Sequence, residues 1–232
     1  MKNLVTIGLP SKGRLKEGSI GFLEKKNFKL ITNGGERNYF AQVENFPNIK
    51  IIYLHAKEII QRLGDGTLDI GISGLDLLNE SPVNLKKKIE VKKKLNFGMA
   101  KLVIAVPNDW IDVQTVADLE EVSFDIRSKR NTRLRVATKY PNLTNDFLLS
   151  KGVTQYKLIP SLGATETYPF IGSSEVITDI TSTGKTLADN SLRVLKDGLI
   201  LKSTACLLYA KHQRVKVMKF LKFIKWKKKS KF

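Results

Sequence analysis

Residues 49–74, IKIIYLHAKEIIQRLGDGTLDIGISG, decide the fold class. IKIIYL at 49–54 is an apolar run, 56–63 carries helical apolar spacing, Gly-Asp-Gly at 64–66 breaks it, and LDIGISG at 68–74 is apolar again. Strand, helix and strand in this order predict a βαβ unit, and such units build a mostly parallel sheet covered by helices. The alternation extends upstream, where LVTIGL at 4–9 is a strand ended by Pro10. GRLKEGSIGFLEKKN at 13–27 then sets Leu15, Ile20, Phe22 and Leu23 on one helical face. Downstream, KLVIAVP at 101–107 opens a second series that continues through LRVATK, a helix over NDFLLSKG, YKLIPSL and a strand leading to Asp179. The chain is therefore read as α/β.

A chain of 232 residues buries a full core either as one large α/β domain or as two lobes. The seam lies near residues 92–100, with no low-complexity linker and no fixed-period repeat. The apolar run LILKSTACLLYA at 199–210 reads as a strand returning to the first lobe, because two crossings make a hinged cleft where one leaves a loose tether. The expected boundaries are 1–95 with 188–212 for the first lobe, 96–187 for the second, and 213–232 for a basic C-terminal tail. Ligands of open α/β sheets bind beyond the carboxyl ends of strands, so Pro10–Arg14, Ser73–Leu75 and Asp179–Thr186 are expected to face the cleft.

One cysteine, Cys206, excludes an internal disulfide, and neither a secretory leader nor an apolar run long enough to span a bilayer is visible. A cytoplasmic protein with no membrane span is expected. The formal charge of +18 taken by itself suggests nucleic acid or an anionic membrane. Residues 211–232 hold ten Lys or Arg and no acid, which leaves +8 on the rest of the chain. No nucleic-acid-binding motif accompanies the charge, so nucleic acid is not an expected partner. In the tail, VKVMKFLKFIKW at 215–226 places Val217, Leu221 and Ile224 on one helical stripe with Phe220, Phe223 and Trp226 beside it. Such a basic amphipathic helix suits packing on its own body, on a subunit or on a membrane.

Chemistry concentrates in EVITDITSTGKT at 175–186. Val176 and Ile177 supply a strand and Asp179 stands at its carboxyl end. Thr181, Ser182, Thr183, Gly184, Lys185 and Thr186 form a hydroxyl-rich turn before Leu187 opens a helical pattern. Backbone N–H groups at a helix start, with the dipole behind them, favour a phosphate. Gly184, Lys185 and Thr186 match the second half of a P-loop, but the position of its first glycine is Asp179, an acid facing nucleotide phosphates. An acid followed by such a turn suits a phosphoribosyl group, the carboxylate accepting from ribose hydroxyls and the turn gripping the 5′-phosphate. A capped turn without a ligand, with Asp179 as N-cap, fits the same residues.

Six separated motifs, in one order, resemble the short form of the ATP phosphoribosyltransferase family, most of all its alphaproteobacterial branch. They are LPSKGRL at 9–15, GGER at 34–37, LDIGISGLDLL at 68–78, RVATKYPNLT at 135–144, SLGATE at 161–166 and DITSTGKTLADN at 179–190. The resemblance covers nearly the whole body. It implies two periplasmic-binding-protein-like lobes of type II with mostly parallel sheets and a hinged cleft. It also implies a reaction in which N1 of the adenine of ATP displaces pyrophosphate from C1 of phosphoribosyl pyrophosphate, the first step of histidine biosynthesis.

The resemblance further implies roles for particular residues. Arg14 and Arg37, supported by Lys12, meet the leaving pyrophosphate, where cations stabilise the transition state more than the ground state. An arginine fork holds phosphate oxygens in a way lysine does not reproduce. Mg²⁺ arrives mainly on the substrate pyrophosphate, and no protein metal site is expected. Asp179 and Glu166 face the ribose, Thr181–Thr186 hold the 5′-phosphate, and Leu9, Ser73 and Gly74 lie in loops placed to touch adenine. No protein nucleophile is needed, because adenine N1 attacks directly and positioning carries the rate. The short form works with a separate subunit resembling histidyl-tRNA synthetase, as four catalytic and four regulatory chains. As a short form, the chain is expected to lack the histidine-sensing domain that follows the catalytic lobes of the long form.

The residues by themselves leave other readings open. Lys12 and Arg14 fit a plain helix N-terminal turn, although cations there oppose the dipole unless an anion is bound. Arg37 fits a surface pair with Glu36, and Glu166 a helix cap or salt bridge. Where many family members carry an Arg and an Asp-Val-Pro, this chain reads HAKEI, so that arginine's role has no carrier and His55 is expected to be a packed or surface residue. A two-lobed binding protein without chemistry is the alternative, and Arg14 and Arg37 are what a passive binder does not need.

Overall fold

In the computed structural model, which describes residues 4–32 and 39–223, the stretch 49–74 folds as strand, helix and strand. The first unit opens with β1 (Val5–Pro10), α1 (Gly13–Glu24), β2 (Leu30–Ile31), β3 (Phe40–Val43), β4 (Phe46–Leu54), α2 (Ala56–Asp65) and β5 (Ile70–Gly74). It continues through α3 (Leu75–Glu80), α4 (Val83–Lys86) and β6 (Ile89–Lys94). The second unit, Met99–Ser203, holds β7 (Ala100–Pro107), α5 (Val116–Arg130), β8 (Leu134–Thr138), α6 (Pro141–Ser150) and β9 (Tyr156–Pro160). A 3-10 turn (Thr165–Thr167), β10 (Val176–Thr181), α7 (Lys185–Asp189) and β11 (Leu192–Ser203) complete it. The chain then re-enters the first unit as β12 (Ala205–Ala210) and α8 (Arg214–Phe223).

The first sheet runs β2-β3-β4-β1-β5-β12-β6, with β1 parallel to both β4 and β5 and the flanking strands antiparallel. The second runs β11-β7-β10-β8-β9, with β10, β8 and β9 parallel. Helices cover both faces, which explains the unpatterned apolar runs of the inner strands. In β12, Ala205, Leu207 and Tyr209 enter one core cluster with Leu9, Leu23 and Val217. Cys206, Leu208 and Ala210 enter another with Ile59, Ile60 and Leu63 of α2. All six residues of β12 are buried, and each large side chain so buried contributes about 1.5–3 kcal/mol.

Three boundaries differ from the sequence reading. The helix α2 continues through Gly64 and Asp65, and only Gly66 leaves it, at φ 87°, as the left-handed C-terminal cap. The run 199–210 is two strands rather than one, with β11 pairing β7 in the second unit and β12 pairing β5 and β6 in the first. Residues 188–203 therefore belong to the second unit and the crossing falls at Thr204, whose hydroxyl donates to the carbonyls of Leu95 and Phe97. The basic tail begins as α8, which packs on its own unit through buried Val217 and Leu221. Lys216 Nζ binds both oxygens of buried Asp69 at 2.8 and 2.7 Å, and Asp69 also accepts from the N–H and hydroxyl of Thr6. Ile224 and Trp226, with the side chain of Phe223, lie outside the described residues.

Candidate active site

The carboxyl ends of β8 and β9 lie level with Thr178 of β10, because Thr178 is in register with Thr138 and Thr138 with Pro160. Past these ends the chain continues into Lys139 and α6 and into the SLGATE segment, while β10 runs on through Asp179 to Thr181 beside β7 before the hydroxyl-rich turn. Alternation along β10 sets the side chains. Val176 enters the cluster beneath α5 and α6, while Ile177 enters the opposite one with Leu187 of α7. Asp179, two residues on from Ile177, is half-buried on that second face.

One oxygen of the Asp179 carboxylate accepts from the Ile180 N–H at 2.7 Å. Burial pushes the carboxyl up from the ordinary carboxylate range, and the negative charge of Glu166 adds to this. The Ile180 N–H, the Lys139 charge and the Thr165 hydroxyl pull it down without cancelling the rise. Thr165 is fully buried, and its hydroxyl lies 2.8 Å from that of Ser161. This contact holds the SLGATE loop on itself, and Thr165 is the residue of that loop whose hydroxyl reaches the Asp179 carboxylate. Ala164, just before, sits in the left-handed region at φ 41°, a conformation that non-glycine residues adopt at a cost of order 1–3 kcal/mol.

The turn after Asp179 is folded on itself. The Gly184 N–H donates to Thr181 Oγ1 at 2.9 Å, the Lys185 N–H to Thr183 Oγ1 at 3.3 Å, and Ser182 Oγ donates to the Met99 carbonyl at 3.2 Å. Gly184 takes φ 80°, which a side chain would strain, and buried Leu187 anchors the loop. Lys185 and Thr186 are exposed. Since α7 has five residues, the loop's N–H groups and hydroxyls, rather than a long helix dipole, are what it offers an anion.

In the first unit, α1 starts after Lys12 with no side-chain cap and no acid in its first turn, and Lys12 and Arg14 are both exposed. Arg37 lies outside the described residues. The three residues expected near adenine are all buried. Leu9 is fully buried in the core, and so is Ser73, whose hydroxyl donates to the Ala56 carbonyl at 2.7 Å. Gly74 is buried with the Asp76 carboxylate folded over it. None of them has a side chain to offer a ligand. His55 caps α2, its Nδ1 accepting from the Lys57 N–H. Glu175, first residue of the motif, is half-buried and clamps Arg135.

A family model described as HisG, ATP phosphoribosyltransferase, matches residues 55–225. The chain belongs to the ATP phosphoribosyltransferase family. A relative named ATP phosphoribosyltransferase, from Brucella melitensis, is 47% identical over 208 residues, 89% of this chain and 90% of its own length. The ATP phosphoribosyl transferase (HisG:HisZ) complex from Thermotoga maritima superposes with a TM-score of 0.73 at 24% identity, covering 96% of this chain and 98% of that one. The substrate-binding protein of an amino acid ABC transporter superposes at 0.51 with 14% identity, covering 96% and 92%. These two likenesses are of fold, that of a type II periplasmic binding protein. Membership of the phosphoribosyltransferase family supplies the chemistry against which the site is read. Lys139 and Thr165 flank Asp179 without having been singled out in the sequence, although both lie within the family motifs RVATKYPNLT and SLGATE.

Proposed function

We infer that the chain transfers the phosphoribosyl group of phosphoribosyl pyrophosphate to N1 of the adenine of ATP, giving phosphoribosyl-ATP and pyrophosphate and opening histidine biosynthesis. The N1 lone pair forms the bond to C1, and the bond from C1 to the pyrophosphate oxygen breaks with its electrons leaving on pyrophosphate. The observation that carries this reading is the meeting of Asp179, Glu166 and Lys139, beside the 181–186 turn, at one end of the second sheet. A nucleotide triphosphatase does not need an acid there.

Asp179 and Glu166 accept from the ribose hydroxyls. The 5′-phosphate takes the N–H groups of Gly184 and Lys185, which Thr181 and Thr183 now satisfy, since an anionic oxygen is a stronger acceptor than a hydroxyl. Lys12, Arg14 and Arg37 meet the leaving pyrophosphate. The start of α1, which has no side-chain cap and no acid in its first turn, is consistent with that role, because helix N–H groups and the dipole behind them favour an anion there.

The family's substrate is used with a divalent metal. Among the described residues no group of three His, Cys, Asp or Glu forms a metal cage. Asp179 and Glu166 are close enough to feel each other's charge and fit an ion held by one or two carboxylates plus substrate phosphates. When bound, Mg²⁺ neutralises the departing pyrophosphate.

No helix among the described residues is long and apolar enough to cross a membrane. We place the enzyme in the cytoplasm with a synthetase-like regulatory subunit, four chains of each. The test is direct. The purified chain is incubated with ATP, phosphoribosyl pyrophosphate and Mg²⁺, with and without that subunit, and phosphoribosyl-ATP is followed by absorbance. Product in either mixture supports the reading, and none in both overturns it in favour of a passive binding protein.

A further inference from the structure

Three threonines of the second unit close a ring of hydroxyls in its interior. Thr178 Oγ1 donates to Thr138 Oγ1 at 2.6 Å, and Thr144 Oγ1 lies 3.1 Å from Thr138 and 2.7 Å from Thr178, with all three residues buried. One direction round the ring lets every hydroxyl donate once: Thr178 to Thr138, Thr138 to Thr144, Thr144 to Thr178. The Tyr140 N–H donates to Thr138 Oγ1 at 2.9 Å and occupies its second lone pair.

The ring joins three elements at the end of the second sheet that carries Asp179. Thr138 is the last residue of β8, Thr144 lies in the first turn of α6, and Thr178 stands on β10 immediately before Asp179. The backbone ladder already fixes the register of β8 against β10, while apolar contacts alone would let α6 slide over the two strands. A closed set of hydrogen bonds has preferred lengths and directions, and so fixes the first turn of α6, and with it the Lys139–Tyr140 connection, against β8 and β10. The residues that follow Thr138 and Thr178 are Lys139 and Asp179. Alternation puts the ring on the face of α6, with Val136, Val176 and Leu148, and Asp179 on the face of α7.

The geometry points to the ring as a positioning device for the phosphoribosyl site. Thr138, Thr144 and Thr178 hold Asp179 and Lys139 at the mutual spacing the sugar phosphate requires, without touching it themselves. The inference rests on the assignment of Asp179 to the ribose.

Thr144→Val keeps the side-chain shape and removes one hydroxyl from the ring, whereas Thr144→Ser keeps the hydroxyl and removes a methyl. KM for each substrate and kcat are measured on the full chain with its regulatory subunit, and thermal midpoints alongside. Thr144→Val should raise KM for phosphoribosyl pyrophosphate about tenfold, leave KM for ATP within about twofold, and lower kcat less than about threefold. Thr144→Ser should restore the substrate KM to within about twofold of wild type. A Val variant with only a lowered midpoint, or with both KM values raised equally, makes the ring a purely structural feature and overturns the proposal. Should Thr144→Val not fold, Thr178→Val against Thr178→Ser carries the same comparison with the same outcomes. Asp179→Asn in the series separates the two claims. If it keeps wild-type KM, the site assignment fails. If it loses affinity while the ring variants do not, the ring proposal alone fails.

Discussion

Along β8 and β10 and the residues that adjoin them stand two base–acid couples, four residues apart in each segment: Arg135 with Glu175, and Lys139 with Asp179. At the amino end the pair is spent on the fold. Arg135 Nε and Nη2 reach Glu175 Oε1 at 3.0 and 2.6 Å, the Arg135 N–H donates to Glu175 Oε2, and Nη1 donates to the Gly172 carbonyl. The Arg135 guanidinium is held above its ordinary value first by its hydrogen bonds to Glu175. At the carboxyl end, Asp179 makes no ion pair within 4 Å among the described residues, and burial works against its charge. An acid whose partners are complete is structural, whereas one held ionisable in a partly buried place with incomplete partners is suited to a ligand.

The comparison breaks most sharply at Asp179. Asp179→Asn should weaken phosphoribosyl pyrophosphate about 10²-fold, roughly 3 kcal/mol, because a charge-assisted acceptor becomes a neutral amide. Calorimetry showing unchanged affinity would remove Asp179 from the site. Lys139→Met should cost about tenfold in the same titration, since its charge favours the ionised carboxylate. Glu175→Gln at the other end should lower unfolding free energy by about 1–2 kcal/mol in a urea melt and leave substrate affinity within about twofold. Loss of affinity with normal stability in that variant would erase the distinction between the two ends.

The pH dependence sharpens the contrast and is the smallest effect. The native carboxyl of Asp179 titrates above the unfolded one, so the folded chain binds that proton more tightly. Stability from this group is therefore present in acid and is lost as pH rises from the ordinary carboxylate range through the raised value. Asp179→Asn should flatten that decline in melts taken between about pH 4 and pH 7. Substrate affinity should move in the opposite sense, falling as pH drops through the raised value because binding needs the carboxylate. A variant whose stability tracks wild type at every pH would contradict the shift.

Much of this was legible in the chain. The alternation of apolar strands and helices marked the α/β architecture and its two sheets, and the acid in the P-loop position drew attention to Asp179, whose role at the ribose is proposed. Other features were hidden for physical reasons. The break at Thr204 is silent because β11 and β12 form one apolar run, and which sheet each half joins is decided by partners distant in sequence. Leu9 and Ser73 stand in family motifs, yet β1 and β5 are inner strands covered on both faces, so both side chains are buried whichever way they point. The ring had a faint signal: Thr138 and Thr178 are hydroxyls at positions whose parity points to the core, where a buried polar group requires a partner. Finding that partner, Thr144 at the start of α6, needed the packing.

The most direct test of the account is a structure of the chain with phosphoribosyl pyrophosphate bound. The 5′-phosphate should lie about 3 Å from the N–H groups of Gly184 and Lys185, with a ribose hydroxyl donating to Asp179 at hydrogen-bonding distance. A sugar phosphate bound elsewhere, with the Thr181 and Thr183 contacts to those N–H groups intact, would contradict it.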